Sequence, residues 1–371
     1  MSVSVLWGRL GPSTGRAARY AGLATRQMTS TPSRAHENPL VCTRLPLAPL
    51  TPQGLPRNNE RVPPSMPRRG GPPGKRPIAH VKKIIAVASG KGCVGKSTVA
   101  ANLALGLAST SESELGRRAR VGLLDLDVFG PSVPKLMGLE DLGEPELTRG
   151  GALIPMTNHS IPCMSMGFLL PPSSSGSNAD TPVVWRGLMV MKAVQQLLFD
   201  VDWRAGVNPS TEPDAPLAPL DVLVIDMPPG TGDVALSLAQ LVQVSGAVIV
   251  STPQEVALAD ARKGITMFNK VNVPILGLVL NMSHFLAPDT GSTYPLFGSA
   301  KSFDALAERL GVPVLGKVPL EMHVSEGGDA GVPEVIRPRS ANTPSGTSQD
   351  VFLEMARGTW KQLQANDASA Q

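Results

Sequence analysis

The nine residues GKGCVGKST (90–98) join two segments of opposite character. Before them runs KKIIAVAS (82–89), a short apolar stretch that reads as a buried strand. After them, STVAANLALGLAST (97–110) repeats apolar residues at helical spacing. A strand that passes through glycines straight into a helix leaves few folds open. Gly90, Lys91, Gly92, Cys93, Val94, Gly95, Lys96 and Ser97 fit the pattern G-x-x-x-x-G-K-[ST], and Thr98 follows. Glycines let successive backbone N–H groups turn inward around phosphate oxygens. The helix beginning near Ser97 points its positive end at the same anion. In such a loop Lys96 bridges the β- and γ-phosphates of a nucleoside triphosphate, and the Ser97 hydroxyl ligates Mg2+. The plain alternative, a glycine turn that merely precedes a helix, is disfavoured by the aspartates described next. Cys93 stands at a variable position of the pattern. If that position needs positive φ, its Cβ is strained by about 1–2 kcal/mol. No second cysteine lies nearby in sequence to share a metal with it.

The rest of the chain repeats the alternation. Strands are expected at 120–127, 220–230, 246–253, 274–283 and 312–320, with helical patterns at 255–271 and 300–311 between them. This predicts an α/β fold, a doubly wound, mostly parallel sheet covered on both faces. PPSSSGSNAD (171–180), AGVNPSTEPDAPLAP (205–219) and RPRSANTPSGTSQD (337–350) read as loops.

LLDLDVFGPSVP (123–134) sets Asp125 and Asp127 at a strand's carboxyl end, the edge where such sheets bind ligands. Asp127 is the candidate for orienting an attacking water, and Asp125 for acting near Mg2+ or in its outer shell. The alternative is a pair of loop-capping aspartates. In VLVIDMPPGTGD (222–233), four apolar residues precede Asp226, a carboxylate suited to Mg2+ directly or through water. The glycines after it suit a segment that senses a γ-phosphate. Neither a Ser-His-Asp signature nor HExxH is present, and the five histidines are scattered.

Charge is divided unevenly. Residues 1–80 carry 12 Lys/Arg against Glu37 and Glu60, whereas residues 81–371 hold 22 basic and 28 acidic side chains. The basic excess is therefore no sign of nucleic-acid binding by the folded part. Residues 1–36 contain Arg9, Arg16, Arg19, Arg26 and Arg34 and no acid, as mitochondrial presequences do. Residues 37–79 form a Pro/Arg-rich linker, 80–335 the nucleotide-binding domain, and 336–371 a flexible segment with a C-terminal helix. No apolar run reaches 18 residues, so a transmembrane segment is not expected. The three cysteines, Cys42, Cys93 and Cys163, form no CxxC pair. Cys163 reads as a buried structural thiol on a strand.

GKGCVGKST with its two lysines, DLDVFGPSVPKLMG, CMSMGFLL, PVVWRGLMVMKAV, DMPPGTGDVALSLAQ, STPQEVALADARKG and GLVLNMS together resemble the Mrp/NUBPL branch of deviant Walker A P-loop ATPases, related to MinD. The resemblance covers residues 80–335. It implies slow ATP hydrolysis by a homodimer with ATP at the interface and Lys91 acting across it. It implies that Asn281, and the turn around Pro319, contact adenine. It also implies a [4Fe–4S] cluster held between subunits and delivered to iron–sulfur client proteins. With a presequence in front, the setting implied is the mitochondrial matrix and the clients include complex I subunits. Family members carry a CPxC segment after NMS. Here NMSHFLAPDTGSTYPLFG (281–298) keeps Pro288, but the cysteine positions hold Ala287 and Thr290. Neither supplies a thiolate, and Asp289 and Tyr294 are no substitute for soft ligands. A nucleotide-switched client-binding protein without a cluster of its own is thus the second reading. A membrane-bound partitioning ATPase is a third, weakened because VFLEMARGTWKQLQ (351–364) is only modestly amphipathic and not strongly basic.

Overall fold

The computed structural model describes residues 75–110, 116–128, 130–140, 142–169, 187–204, 218–287, 290–339 and 346–370. The presequence, most of the linker and the segments 171–180 and 205–217 lie outside the described residues.

The apolar run ahead of the glycine loop is strand β1 (Val81–Ser89), with its last six residues buried. Its neighbours are β5 (Leu220–Asp226) and β6 (Gly246–Ser251), both parallel to it. Beyond β6 lie β7 (Ile275–Leu280) and β10 (Val314–Lys317); beyond β5 lie β2 (Val121–Asp125), β4 (Ile161–Ser165) and β3 (Met156–Asn158). Seven strands are parallel, and β3 alone among the described strands of this sheet runs against its neighbour, β4. Runs such as VLVID and AVIVS are apolar at successive positions because both faces of the sheet are covered. The expected strands at 120–127 and 220–230 stop at Asp125 and Asp226, where the chain leaves the sheet to build the site.

Helix α1 (Lys96–Thr110) follows the glycine loop and is buried over most of its surface. Short helix α2 (Val133–Leu136) follows β2, α3 (Gly187–Phe199) follows β4, α4 (Asp233–Leu241) follows β5, and α5 (Glu255–Lys270) follows β6. A two-stranded ribbon of β8 (Phe285–Leu286) and β9 (Thr293–Tyr294) precedes α6 (Lys301–Leu310). After β10 come α7 (Met322–Asp329), a 3-10 turn (Glu334–Ile336) and α8 (Ser348–Ala370).

Helix α8 lies on α1, which is therefore covered by the sheet on one side and by α8 on another. Phe352, Met355, Ala356, Trp360 and Leu363 face inward, and a Cβ added at Gly106 would stand 2.8 Å from the Ala356 Cβ. The apolar face of the C-terminal segment is thus spent inside the fold, which removes the ground for the membrane-bound reading. Ahead of β1, Ile78 is buried, and the Arg76 N–H donates to the Leu241 carbonyl at 2.7 Å.

Candidate functional site

All the parallel strands end at one edge of the sheet, and the glycine loop leaves β1 at its middle, between β5 and β6. The loop lies close to the chain on both sides. A Cβ on Gly90 would stand 2.1 Å from the Asp260 carbonyl carbon of α5, so only glycine fits there. Gly95 has φ +77°, and a Cβ on it would meet the Asn281 Nδ2 at 2.2 Å. That amide donates to the Val94 carbonyl at 2.9 Å, tying the loop to the end of β7. The Ser89 hydroxyl donates to the Lys91 carbonyl at 2.8 Å. The strain anticipated at Cys93 is present: its φ is +61°, in the left-handed region that favours glycine. Its thiol is free and exposed.

An open cleft of about 670 Å³ lies over the loop. Lys91, Gly92, Cys93, Ser97, Thr98 and Asp127 border it on the loop side, and Val324, Ser325 and Gly328 of α7 close it from across. At its floor Lys96 is buried, with Nζ 2.5 Å from Asp226 Oδ1, 4.0 Å from Asp127 Oδ2 and 3.4 Å from Ser97 Oγ. Asp226 is fully buried, and its Oδ2 has no hydrogen-bond partner among the described residues. Burial holds this carboxyl above its usual range, against the pull of Lys96 and the Ser97 hydroxyl. An unsatisfied buried carboxylate oxygen beside a serine hydroxyl fits a small hard cation such as Mg2+. Lys91 is exposed at the rim.

Asp125 stands next to Asp226 across the β2–β5 pair. It is fully buried and does not border the cleft. Its Oδ1 accepts from the Asp127 N–H at 2.9 Å, and its Oδ2 from the N–H groups of Ser132 and Val133 and from the Ser165 hydroxyl, at 3.0–3.1 Å. Burial, then the neighbouring Asp226 charge, push its carboxyl up to about 7. Asp125 therefore positions the Asp127 loop and the start of α2, which suits the outer-shell place expected of it as well as the loop-capping alternative.

Ser165 escaped the reading of the sequence, as did the bond from the Asn281 amide to the loop, Asn281 itself being expected only at the adenine. Both residues act on partners more than 35 positions away, and no local pattern marks such a bond. Lys135 also borders the cleft, paired with Glu140 at 3.1 Å.

The family's cysteine positions fall between β8 and β9. Ala287 is buried, Thr290 is exposed, and the Thr290 hydroxyl accepts from the Ser292 N–H at 3.3 Å. Pro288 and Asp289 lie outside the described residues. Cys163 is fully buried on β4, where burial pushes its thiol far up from the ordinary value, so it offers no thiolate. Of the cysteines described, neither stands at this ribbon, and the residues present do not fit a cluster ligated here.

A glycine loop between a central parallel strand and a helix, with its lysine on a strand-end aspartate, defines the class: a P-loop NTPase. Residues 80–357 match the family ParA, described as the NUBPL iron-transfer P-loop NTPase. The chain belongs to that family. It is 46% identical over 296 residues to the iron–sulfur cluster transfer protein NUBPL of Mus musculus, covering 80% of this chain and 82% of that one. It is 44% identical over 283 residues to the Arabidopsis thaliana iron–sulfur protein required for NADH dehydrogenase, mitochondrial, covering 76% and 79%. Among solved structures it resembles the nucleotide-binding protein of Archaeoglobus fulgidus in complex with ADP, at 34% identity and a TM-score of 0.55, over 70% of this chain and 90% of that one.

Proposed function

We propose that this protein binds and slowly hydrolyses ATP as a mitochondrial factor of iron–sulfur cluster transfer that supports complex I assembly. The observation that carries the nucleotide half is the Lys96–Asp226 pair at the floor of a glycine-walled cleft. The transfer half rests on family membership and on the two relatives' roles. In this reading the loop amides and Lys96 hold the triphosphate, and Ser97 and Asp226 hold Mg2+, which neutralises phosphate charge. Asp127 orients the attacking water from its place beside Lys96. Asn281 and the turn at Pro319 meet the adenine, and Lys91 reaches the phosphates of a second copy across a homodimer interface.

Lys96→Ala is expected to abolish heat of association with Mg-ATP, and Asp127→Ala to leave binding intact while removing turnover. Turnover at the parental rate in Asp127→Ala would remove that residue from the chemistry. Retained Mg-ATP binding by Lys96→Ala would remove Lys96 from the phosphate site, and no binding by the folded parent would remove the nucleotide reading altogether.

The absence of thiol ligands at Ala287 and Thr290 favours a second reading of the cargo step. The chain acts there as a nucleotide-switched partner of client proteins and does not itself ligate the cluster through this ribbon. Anaerobic reconstitution with iron and sulfide separates the two: stoichiometric bound iron supports a carrier, and none supports the switch.

A further inference from the structure

Three metal-ligating side chains converge at the start of α7, and none of them borders the nucleotide cleft. Glu321 immediately precedes α7, His323 lies in its first turn, and Glu334 opens the 3-10 turn. One ligand atom of each lies within 4.8 Å of the others. The His323 Nε2 is 3.5 Å from Glu321 Oε2 and 3.6 Å from Glu334 Oε1. In a tetrahedral site with bonds of about 2.1 Å, ligand atoms stand about 3.4 Å apart. The two measured separations are already near that edge.

The surroundings point the same way independently. The Glu334 side chain is only 4% exposed, and its Oε2 is buried without a hydrogen-bond partner among the described residues. The Arg337 guanidinium, 42% exposed, stands off at 3.7 Å, outside hydrogen-bonding range. Burial, and then the neighbouring Glu321, push the Glu334 carboxyl up to about 7. A divalent ion would neutralise both. The Ser348 N–H donates to Glu321 Oε2 at 3.0 Å and fixes that carboxylate's orientation, as outer-shell partners of metal ligands do.

We propose that Glu321, His323 and Glu334 form a binding site for a divalent transition-metal ion of the zinc type. One imidazole with two carboxylates suits zinc better than magnesium, which seeks an all-oxygen octahedron. Three protein ligands leave the fourth position to water. The ion would fasten the start of α7 to the 3-10 turn and, through Ser348, to the start of α8. The site does not depend on the cluster-transfer reading.

The full chain, stripped with a chelator, is titrated with Co2+ as a spectroscopic stand-in and then with Zn2+. The expected result is one Co2+ per chain with intense tetrahedral visible bands, displaced by Zn2+. Glu334→Gln keeps the side chain's shape and, as the loss of a direct ligand costs at least what loss of an outer-shell partner does, is expected to weaken binding by at least about 10-fold. His323→Gln, at a partly exposed position, provides the same test should Glu334→Gln fail to fold. Absence of the tetrahedral bands, or parental affinity in a folded Glu334→Gln or His323→Gln, overturns the proposal; the latter would assign the ion to Cys93 or the phosphate loop.

Discussion

Cys93 sits in left-handed backbone at the tip of a loop that must hold still around a phosphate. Its Cβ costs about 1 kcal/mol there, partly offset because glycine has more freedom to lose on folding. Cys93→Gly is therefore expected to raise the melting temperature slightly and to leave Mg-ATP affinity equal or improved; a lower melting temperature would show that the thiol makes a compensating contact. Asn281 works in the opposite sense. Asn281→Ala leaves the buried Val94 carbonyl without its donor, a loss of about 1–3 kcal/mol by chemical denaturation. Far from the cleft, Asp221 collects both terminal nitrogens of Arg117 at 2.8 Å, Lys82 at 2.9 Å and the Arg120 N–H at 2.9 Å. Burial pushes its carboxyl up, but these donors overcome burial and hold it well below the usual carboxylate range. A depressed carboxyl contributes stability above its unfolded value near 4, lost as pH falls through the folded value. Asp221→Asn should thus cost about 1–2 kcal/mol at neutral pH, the cations being half exposed, and the gap to the parent should close below about pH 4.

Helix α8 shows how much an element's meaning depends on its neighbour. Its composition is only modestly amphipathic, yet Phe352, Met355, Trp360 and Leu363 are buried against the rest of the fold. Trp360→Ala is expected to destabilise the domain by about 3–5 kcal/mol. A loss under 1 kcal/mol in urea unfolding would mean that the helix detaches freely. The β8–β9 ribbon makes a complementary prediction. Ala287→Cys with Thr290→Cys restores the thiol spacing of the family, and the doubly substituted chain should retain iron and sulfide after anaerobic reconstitution where the parent does not. Equal iron in both would locate any cluster elsewhere.

Across the whole molecule, parallel topology brings the distant pieces of the site together. Asp125 and Asp226 end adjacent strands in register, and β1 delivers the phosphate loop beside them. The loop, Lys96, Ser97, Asp127 and Asp226 were legible in the sequence because backbone amides, an ammonium group and carboxylates around a triphosphate demand particular residues at short, regular spacing. Strand–helix alternation was legible because burial on both faces leaves unbroken apolar runs. Local order could suggest that Asp125 holds the N–H groups of the loop after it, but not that the Ser165 hydroxyl joins them, because that residue becomes a neighbour only after β2 and β4 pair. Nor could it show that Glu321, His323 and Glu334 meet. Chain order records which groups are available, and short motifs survive in it because their contacts span few residues. Long-range packing decides which of those groups are left unsatisfied in the interior, and there their chemistry changes.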